Sequence, residues 1–551
     1  MSHEPPGTIL LESNDSNTII LQPTPTADPN EPLNWANLRK HVNFFVVCFF
    51  TLMAFTASCV STVFWTPQNE ELGWNLDQLN NGYALSVAGL GLGCPLMIPF
   101  AEKFGKRPVY LVSSAIALAC AAWMSKMKTV GELYGSSLLQ GIATSVTETI
   151  IQMTVADLYF VHQRGTCNGI YMVVTDIGNF LIMVPAGYIT VNLGWRWVYG
   201  IIAIITGAQF LMTVLFYEET KYIPGAETIV GVTPDEETEE VTEKTEKETE
   251  KETEKETEKE TEKETEKETE KETEKEESDI KDPSLDSLDF SESYRTTYQM
   301  NPLSKRLALV TYSPGSWKDF GRNMYTPFIT LFAYPIVTFV AIQYGFMLTW
   351  LAMGATTVAS AFAEPPYNFS SAALGNVNIA PFIGMALGSI YGGWFNDKTI
   401  IWMARRNGGV YEPEMRLWGL IPANLSLTIG LFLFGVPMAH GVHWMVPTLG
   451  FAIIMFGFGS SGAIVLTYLL DCYKHIVADA FIGVIVVRNV FGMIMVFCQT
   501  PWIEKVGLQN VYITVGCISL VPLAMTVPLA FWGKGLRRKS ETRYLRESTR
   551  C

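Results

Sequence analysis

The sequence predicts an all-α polytopic membrane protein, with twelve transmembrane helices arranged as two pseudo-symmetric six-helix bundles. Three observations support this fold class: hydrophobic residues make up 48% of the chain against 17% charged residues, twelve long apolar runs follow one another, and short motifs recur in both halves. A soluble chain of 551 residues would more often form about three or four domains. The apolar composition therefore overrides what the length alone suggests.

The apolar runs define the predicted helices, since spanning a bilayer takes about 20 mostly apolar residues. Six runs precede a long hydrophilic segment and six follow it. Predicted helices 1 to 12 cover 42–64, 82–101, 109–125, 133–157, 168–190, 197–217, 327–352, 375–395, 416–437, 444–470, 480–500 and 509–533. The predicted domains are a disordered N-terminal tail over 1–40, bundles over 41–218 and 326–533, a cytosolic loop over 219–325, and a basic cytosolic tail over 534–551.

The hydrophilic segment between the halves carries the whole net charge of the chain. Residues 235–282 hold 25 of the 54 acids and 10 of the 39 bases, so their net charge of −15 equals that of the full sequence. The Lys-Glu-Thr-Glu repeat over 244–277 has almost no apolar residue and cannot bury a core. It is interpreted either as a solvated linker or as a regulatory tether, and its acidity gives no reason to expect a nucleic-acid partner.

The positions of lysine and arginine predict the orientation in the membrane. Bases cluster after predicted helices 2, 8 and 12, which places those loops and both termini in the cytosol. Asn368-Phe369-Ser370 then falls in an outer loop, where Asn368 is a candidate glycosylation site. We expect a multi-pass monomer of the plasma membrane, with the vacuolar membrane as the alternative.

Charged residues recur at the cytosolic helix ends of the two halves. Helix 2 ends in Glu102-Lys103 and helix 8 in Asp397-Lys398, and helices 4 and 10 end near acids. Such a duplicated unit predicts a site between two bundles. Placed in reach of water, these charges are interpreted as gates, which form ion pairs in one conformation and lose them in another. The candidate gating residues are Glu102, Lys103, Arg107, Asp157, Asp397 and Asp471.

Three ionisable residues lie at membrane depth, where they are costly and therefore candidates for function. The helical rise places Glu148 about 13 Å, and Asp176 and Arg488 about 12 Å, from the predicted cytosolic helix ends. Burial favours the neutral form of a carboxyl, so such a group can carry a proton or attract a cation. Arg488 either compensates a buried acid or contacts an anionic substrate. A permanent pair with Glu148 would weaken the case for Glu148 as a proton site.

Polar side chains accompany these three residues along the predicted helices. Thr144 and Gln152 share one face of helix 4 with Gln140 and Glu148, a face expected to line the central cavity. The candidate proton- and substrate-binding residues are Glu148, Asp176, Arg488, Gln152, Thr144, Asn179, Gln343 and Tyr344.

Several motifs indicate a family. The stretch from Glu102 to Arg107 resembles the signature between helices 2 and 3 of the major facilitator superfamily. The stretches 31–35 (EPLNW) and 194–197 (GWRW) are similar to fungal drug:proton-antiporter-type members. The stretch 405–417 resembles the branch that includes the yeast histidinol and polyamine carrier. Two features depart from the antiporter pattern: Ser137 stands where the family has an arginine, and the Gly/Pro pattern of helix 5 is thin.

The resemblance implies a proton-coupled secondary transporter that moves a small organic solute by alternating access, with the bilayer and protons as its other partners. The solute is expected to be cationic, drug-like or a secondary metabolite. The alternatives are an uptake carrier for polyamine- or histidinol-like cations and a transporter-like nutrient sensor. No Ser-His-Asp set, metal cluster or phosphate loop is visible in the sequence, so neither an enzyme nor a cofactor is expected.

Overall fold

The computed structural model describes residues 9–10, 28–222, 300–312, 317–473 and 476–548. The acidic repeat predicted to be a linker or tether lies outside these residues. The described chain forms an all-α membrane protein of two six-helix bundles, as predicted. Eleven of its helices are long and apolar enough to cross a membrane.

The eleven spans and the helix Val130–Leu158 together give twelve helices that match the predicted ones in number and order. With 29 residues, Val130–Leu158 is about 44 Å long, but its many polar side chains lower its hydropathy. The first bundle contains α1 (Asn37–Val63), α2 (Leu76–Phe104), α3 (Lys106–Met124), α4 (Val130–Leu158), α5 (Gln163–Leu193) and α6 (Trp195–Phe216). The second contains α7 (Pro335–Ala361), α8 (Ser371–Arg406), α9 (Pro413–Ala439), α10 (Met445–Cys472), α11 (Asp479–Val506) and α12 (Leu508–Arg546).

Shorter elements connect these helices at both ends of the bundles. Strand β1 (Ile9–Leu10) pairs antiparallel with β2 (Val410–Tyr411). The remaining helices are Trp65–Leu72, Leu303–Arg306 and Trp317–Ala333, and short 3-10 turns cover Pro32–Asn34, Val60–Val63 and Pro413–Arg416.

Local sequence explains where the central helices begin. Asn75 and Gln78 form a reciprocal capping box at the start of α2, with hydrogen bonds of 2.8 and 3.1 Å. Thr129 and Glu132 form the same box before α4. Between α2 and α3 the chain reverses within one residue, Gly105, whose φ of 98° favours glycine. These signals set the register of the helices that carry the central charges.

The predicted boundaries of helix 7 are wrong, because α7 begins at Pro335 rather than at 327. Proline lacks the N–H that would continue a preceding helix and is well suited to a first helical turn. The residues before it form a separate helix, Trp317–Ala333, which packs on α11. The predicted loop over 219–325 therefore contains the start of this helix as well as the helix Leu303–Arg306.

The structure describes part of each predicted tail. Leu33, Trp35 and Lys40 are buried, and the Lys40 ammonium donates a hydrogen bond of 2.8 Å to the Leu33 carbonyl. The predicted disordered tail is thus wrong for residues 31–40. At the other end, the predicted basic tail over 534–551 is helical in its described part, and its cytosolic location stays a prediction.

The two bundles meet along α2 and α11 and along α5 and α8. An added Cβ at Gly187 would lie 2.4 Å from the Ser371 carbonyl, and one at Gly375 would lie 2.5 Å from the Met183 carbonyl. Only glycine allows the backbones of α5 and α8 to approach this closely. We call this end of the bundles, where α5 ends and α8 begins, the opposite end; the end with Glu102–Arg107 is the charged end. The interface is therefore sealed at the opposite end.

Ion pairs hold the charged end of the second bundle together. The buried Arg537 guanidinium donates two hydrogen bonds, of 2.8 and 2.6 Å, to the Glu414 carboxylate. Lys534 pairs with Glu412. Glu412 and Glu414 of the stretch 405–417 thus connect the start of α9 to the C-terminal part of α12.

Candidate functional site

The central site is a charged cluster at the interface of the bundles. The Glu148 carboxylate of α4 forms an ion pair with Arg488 of α11, and the Asn489 amide donates a further hydrogen bond of 3.2 Å to it. The Arg488 guanidinium lies 5.0 Å from the ring centroid of Tyr344 in α7. Glu148 and Arg488 are each only 7% exposed. The cluster therefore joins helices of both bundles at a depth where water is largely excluded.

This pair realises one of the two roles considered for Arg488, the compensation of a buried acid. A buried ion pair is a weak source of net stability, but removing one partner leaves an uncompensated charge and costs about 3–5 kcal/mol. Any rocking of the bundles against each other must separate the pair or replace one partner.

Asp176 differs from Glu148 in its surroundings. It is 2% exposed, and its Oδ1 has no hydrogen-bond partner among the residues that the structure describes. It ends a helical stretch of α5 directly before a π turn, Ile177–Leu181. Such turns often occur at functional sites. Asp176 is thus a buried acid whose charge is not balanced in the way that Arg488 balances Glu148.

The face of α4 predicted to line the cavity is divided between two environments. Thr144 lies 3.0 Å from the Ser58 hydroxyl and 3.3 Å from the Ala54 carbonyl, so it packs against α1. Gln140 also approaches the Ala54 carbonyl. The structure thus places Thr144 and Gln140 against α1, and that this face borders the cavity stays a prediction. Gln152 is half-buried.

Two other predicted binding residues serve contacts within their own bundles. The Asn179 amide oxygen accepts a hydrogen bond of 3.3 Å from the Cys59 thiol of α1. The Gln343 amide donates a hydrogen bond of 2.5 Å to the Asn424 side chain of α9. Asn424 also contacts Ser461 and Thr526. Of the polar residues predicted beside the charged ones, Tyr344 is the one placed in the cluster.

The charged end of the first bundle is more buried than predicted. Lys103 is 6% and Arg107 4% exposed, so the expectation that they lie in water is wrong. Lys106 pairs with Asp157. The Glu102 side chain is half-buried. The Lys106–Asp157 pair links the start of α3 to the end of α4, and the gating role of these residues stays a prediction.

The second bundle has a matching ion pair. Arg416, at the start of α9, contacts Asp471 at the end of α10 and lies 2.8 Å from Asp397 of α8. The Asp397 side chain is 59% exposed and is within reach of water, as predicted. The recurrence of Lys106–Asp157 as Arg416–Asp471 gives structural form to the repeat seen in the sequence.

Both ends of the long central segment are anchored to the first bundle. The Glu218 carboxylate accepts two hydrogen bonds of 2.8 Å from Arg306 and two from Arg39, one of which is 3.0 Å long. Burial opposes its charge, but the hydrogen bonds from Arg306 and Arg39 outweigh burial, so the pKa of Glu218 lies below its ordinary value. The Arg107 guanidinium donates to the carbonyls of Val214, Leu307 and Ala308. The long central segment thus starts and ends at the same place on the first bundle.

Sequence reasoning missed these anchors, although a signal was present. Glu218 and Glu219 directly follow the apolar run of α6, where a pair of acids needs compensation. The Glu219 carboxylate accepts hydrogen bonds of 3.0 Å from the backbone amides of Lys106 and Arg107, at the N-terminus of α3. A helix N-terminus is a favourable place for an anion.

If the chain is the transporter that its sequence predicts, deleting residues 235–282 is expected to leave solute transport within about twofold of the full chain. The ends of the segment are held by Glu218 and Arg306, and the entropy of closing a loop changes only by about 0.6 kcal/mol for each doubling of its length. Solute uptake into vesicles containing each purified protein measures this. The matched variant Arg306→Ala, which keeps the segment but loosens its anchor, should have the larger effect. Loss of transport in the deletion alone would contradict the expectation.

Comparisons with known proteins agree with this architecture. A family model described as the Major Facilitator Superfamily matches residues 44–497. An uncharacterized MFS-type transporter of Schizosaccharomyces pombe is 30% identical, over 98% of this chain and 94% of its own. Protein HOL1 of Saccharomyces cerevisiae is 28% identical, over 96% of this chain and 92% of its own.

Solved structures show the same fold. The crystal structure of a D-xylose-proton symporter matches with a TM-score of 0.57 at 12% identity, and the match covers 88% of this chain and 97% of that chain. At this identity the similarity concerns the arrangement of the helices.

Proposed function

The chain belongs to the Major Facilitator Superfamily, and from this premise we propose that it is a proton-coupled carrier of a small organic cation that works by alternating access. Solute transport across a membrane is the activity of the family. The observation that carries the finer proposal is the contrast between two buried acids: Glu148 is paired with Arg488, whereas an oxygen of Asp176 lacks a partner in the described chain.

An isolated charge in a medium of low dielectric is strongly unfavourable. Asp176 therefore takes a proton when it is closed off from water. The three ionisable residues at membrane depth, Glu148, Arg488 and Asp176, together carry one negative charge, which favours a cationic solute over an anionic one.

The ion pair across the bundles supplies the conformational part of the proposal. In the observed state the interface is sealed at the opposite end by the contacts of Gly187 and Gly375. Access from that end requires α5 to separate from α8 and α2 to separate from α11. This movement strains the Glu148–Arg488 pair. We place the charged end in the cytosol on the basis of its lysines and arginines, which makes the observed state closed to the outside.

The resemblance to the fungal drug:proton-antiporter-type branch and to the histidinol and polyamine carrier group supports an organic solute. A plasma-membrane location fits this role. In an exchange of the solute for a proton, Asp176 would carry the proton.

The test uses purified protein in vesicles with an imposed pH difference and the membrane potential clamped. Radiolabelled spermidine and histidinol are the cationic probes, and D-xylose is the neutral control. We expect accumulation of at least one cation that disappears when a proton uncoupler is added, and no movement of D-xylose. Equal transport of the neutral sugar, or cation transport that ignores the uncoupler, would refute the proposal.

A further inference from the structure

The C-terminal part of α12, from Trp532 onward, carries a stripe of residues along one face that changes from apolar to basic. Trp532, Gly535, Lys539 and Arg543 are spaced by three or four residues, so they lie on the same side of the helix. Trp532 is 71% exposed. With 39 residues, α12 is about 58 Å long, well beyond the roughly 30 Å of a hydrocarbon core. Its basic part therefore leaves the hydrocarbon at the charged end.

Two grooves run beside this stripe. The first, of about 660 Å³, is lined by apolar residues of α7 and α12, with Gly535 on its wall and Lys539 among its lining residues. The second, of about 490 Å³, lies against the helix Trp317–Ala333 and includes Arg543. Ala333 lines the second groove and Pro335 the first, so lining residues of the two grooves lie two positions apart in the chain. Each apolar groove thus has one cation in its lining.

The helix Trp317–Ala333 completes the second groove with an exposed apolar face. Tyr325, Phe328 and Phe332 line the groove and are 54%, 38% and 80% exposed. Pro327 and Leu331, on the other side of the helix, pack against Gly483 of α11. A helix with one buried face and one exposed aromatic face is typical of the membrane interface.

We propose that these two grooves hold one anionic phospholipid of the leaflet at the charged end, with its two acyl chains in the grooves and its headgroup phosphate between Lys539 and Arg543. Residues four apart on a helix have Cβ atoms about 5–6 Å apart, which suits two cations around one phosphate. The Arg543 guanidinium lies 5.8 Å from the ring centroid of Tyr334, which positions it beside the grooves. Juxtamembrane lysine and arginine clusters generally attract anionic lipid.

Charge decides for this occupant over a neutral lipid. A zwitterionic lipid could fill the grooves equally well, but its own cation would meet Lys539 and Arg543. An anionic lipid gains about 1 kcal/mol for each nearby lysine or arginine. The apolar walls, in turn, favour a lipid over a free phosphate ion, which would use none of them.

The experiment measures lipid binding to the delipidated full chain by native mass spectrometry. Phosphatidylserine and phosphatidylcholine with the same acyl chains are the probes, and inorganic phosphate is the competitor. For the unaltered protein we expect phosphatidylserine to bind at least about tenfold more tightly, with little competition from phosphate. Removal of both cations in Lys539→Gln with Arg543→Gln should weaken phosphatidylserine binding roughly 30-fold, or about 2 kcal/mol.

Two further variants separate charge from shape. The control, Arg405→Gln with Arg538→Gln, removes the same charge from the same end but off the stripe, and should change binding by less than about threefold. Gly535→Leu adds a side chain at the wall of the first groove, where an added Cβ meets nothing within 4 Å. It should weaken both lipids similarly.

The proposal is overturned if the Lys539/Arg543 double variant binds phosphatidylserine as the unaltered protein does, or if the control loses as much. Displacement by inorganic phosphate would indicate an ion site instead of a lipid site. Unchanged binding in Gly535→Leu would remove the acyl-chain groove from the proposal. None of these measurements depends on the solute or on proton coupling.

Discussion

Asp176→Asn is expected to abolish proton-driven accumulation of the solute while the protein still exchanges solute across the membrane. Asparagine keeps the size of the side chain, but its amide cannot gain or lose a proton near neutral pH. One pH unit corresponds to about 1.4 kcal/mol, which supports about tenfold accumulation for each proton coupled. The variant should therefore show an accumulation ratio near one, measured with radiolabelled solute in vesicles under an imposed pH difference.

The control for this variant measures exchange of labelled for unlabelled solute without a pH difference. If Asp176 serves coupling, exchange by Asp176→Asn should remain within about threefold, and Asp176→Glu should restore part of the pH response. Accumulation that survives in Asp176→Asn would contradict the role of Asp176. Loss of both exchange and accumulation in a correctly folded variant would indicate a residue needed for solute binding itself.

Arg488→Gln is expected to destabilise the observed state by about 3–5 kcal/mol, because it leaves the buried Glu148 carboxylate without its cation. The free energy of unfolding in mild detergent measures this loss. Glu148→Gln should also destabilise, since it leaves the arginine uncompensated. The double variant, with glutamine at both positions, should be more stable than Arg488→Gln alone, because no buried charge is left unpaired.

A matched ion pair at the surface provides the reference for this cycle. Lys534 and Glu412 form a pair in which the lysine side chain is 51% exposed, and Lys534→Gln should cost only about 0–1 kcal/mol. If Arg488→Gln costs no more than Lys534→Gln, the central pair does not hold the bundles together. A loss in the double variant equal to the sum of the two single losses would likewise contradict an energetic coupling of Glu148 and Arg488.

Together these two experiments divide the roles of the buried acids. Glu148, in contact with the other bundle, is expected to act on the stability of one conformation. Asp176, with an oxygen that has no partner in the described chain, is expected to act on the coupling ion. A Glu148→Gln variant that lost proton coupling with unchanged stability would reverse this assignment.

The helical rise by itself predicts that the central charged residues lie at one depth in the membrane. Counting along the helices placed Glu148 about 13 Å and Arg488 about 12 Å from the same membrane surface. The structure joins them although they are 340 positions apart in the chain. Depth follows from helical rise, a local property, but partnership depends on which helix faces meet between the bundles.

The sequence by itself determined the number and order of the helices, the two-bundle fold, and the presence of acids at membrane depth, because apolar length and charge are readable locally. It put Thr144 and Gln140 on one face of α4, but their contacts with α1 came only from the packing. Only the tertiary structure decided that Arg488 neutralises Glu148 and not Asp176. The reason is physical: a side chain's charge is set by its residue type, but its compensation is set by neighbours that distant parts of the chain supply.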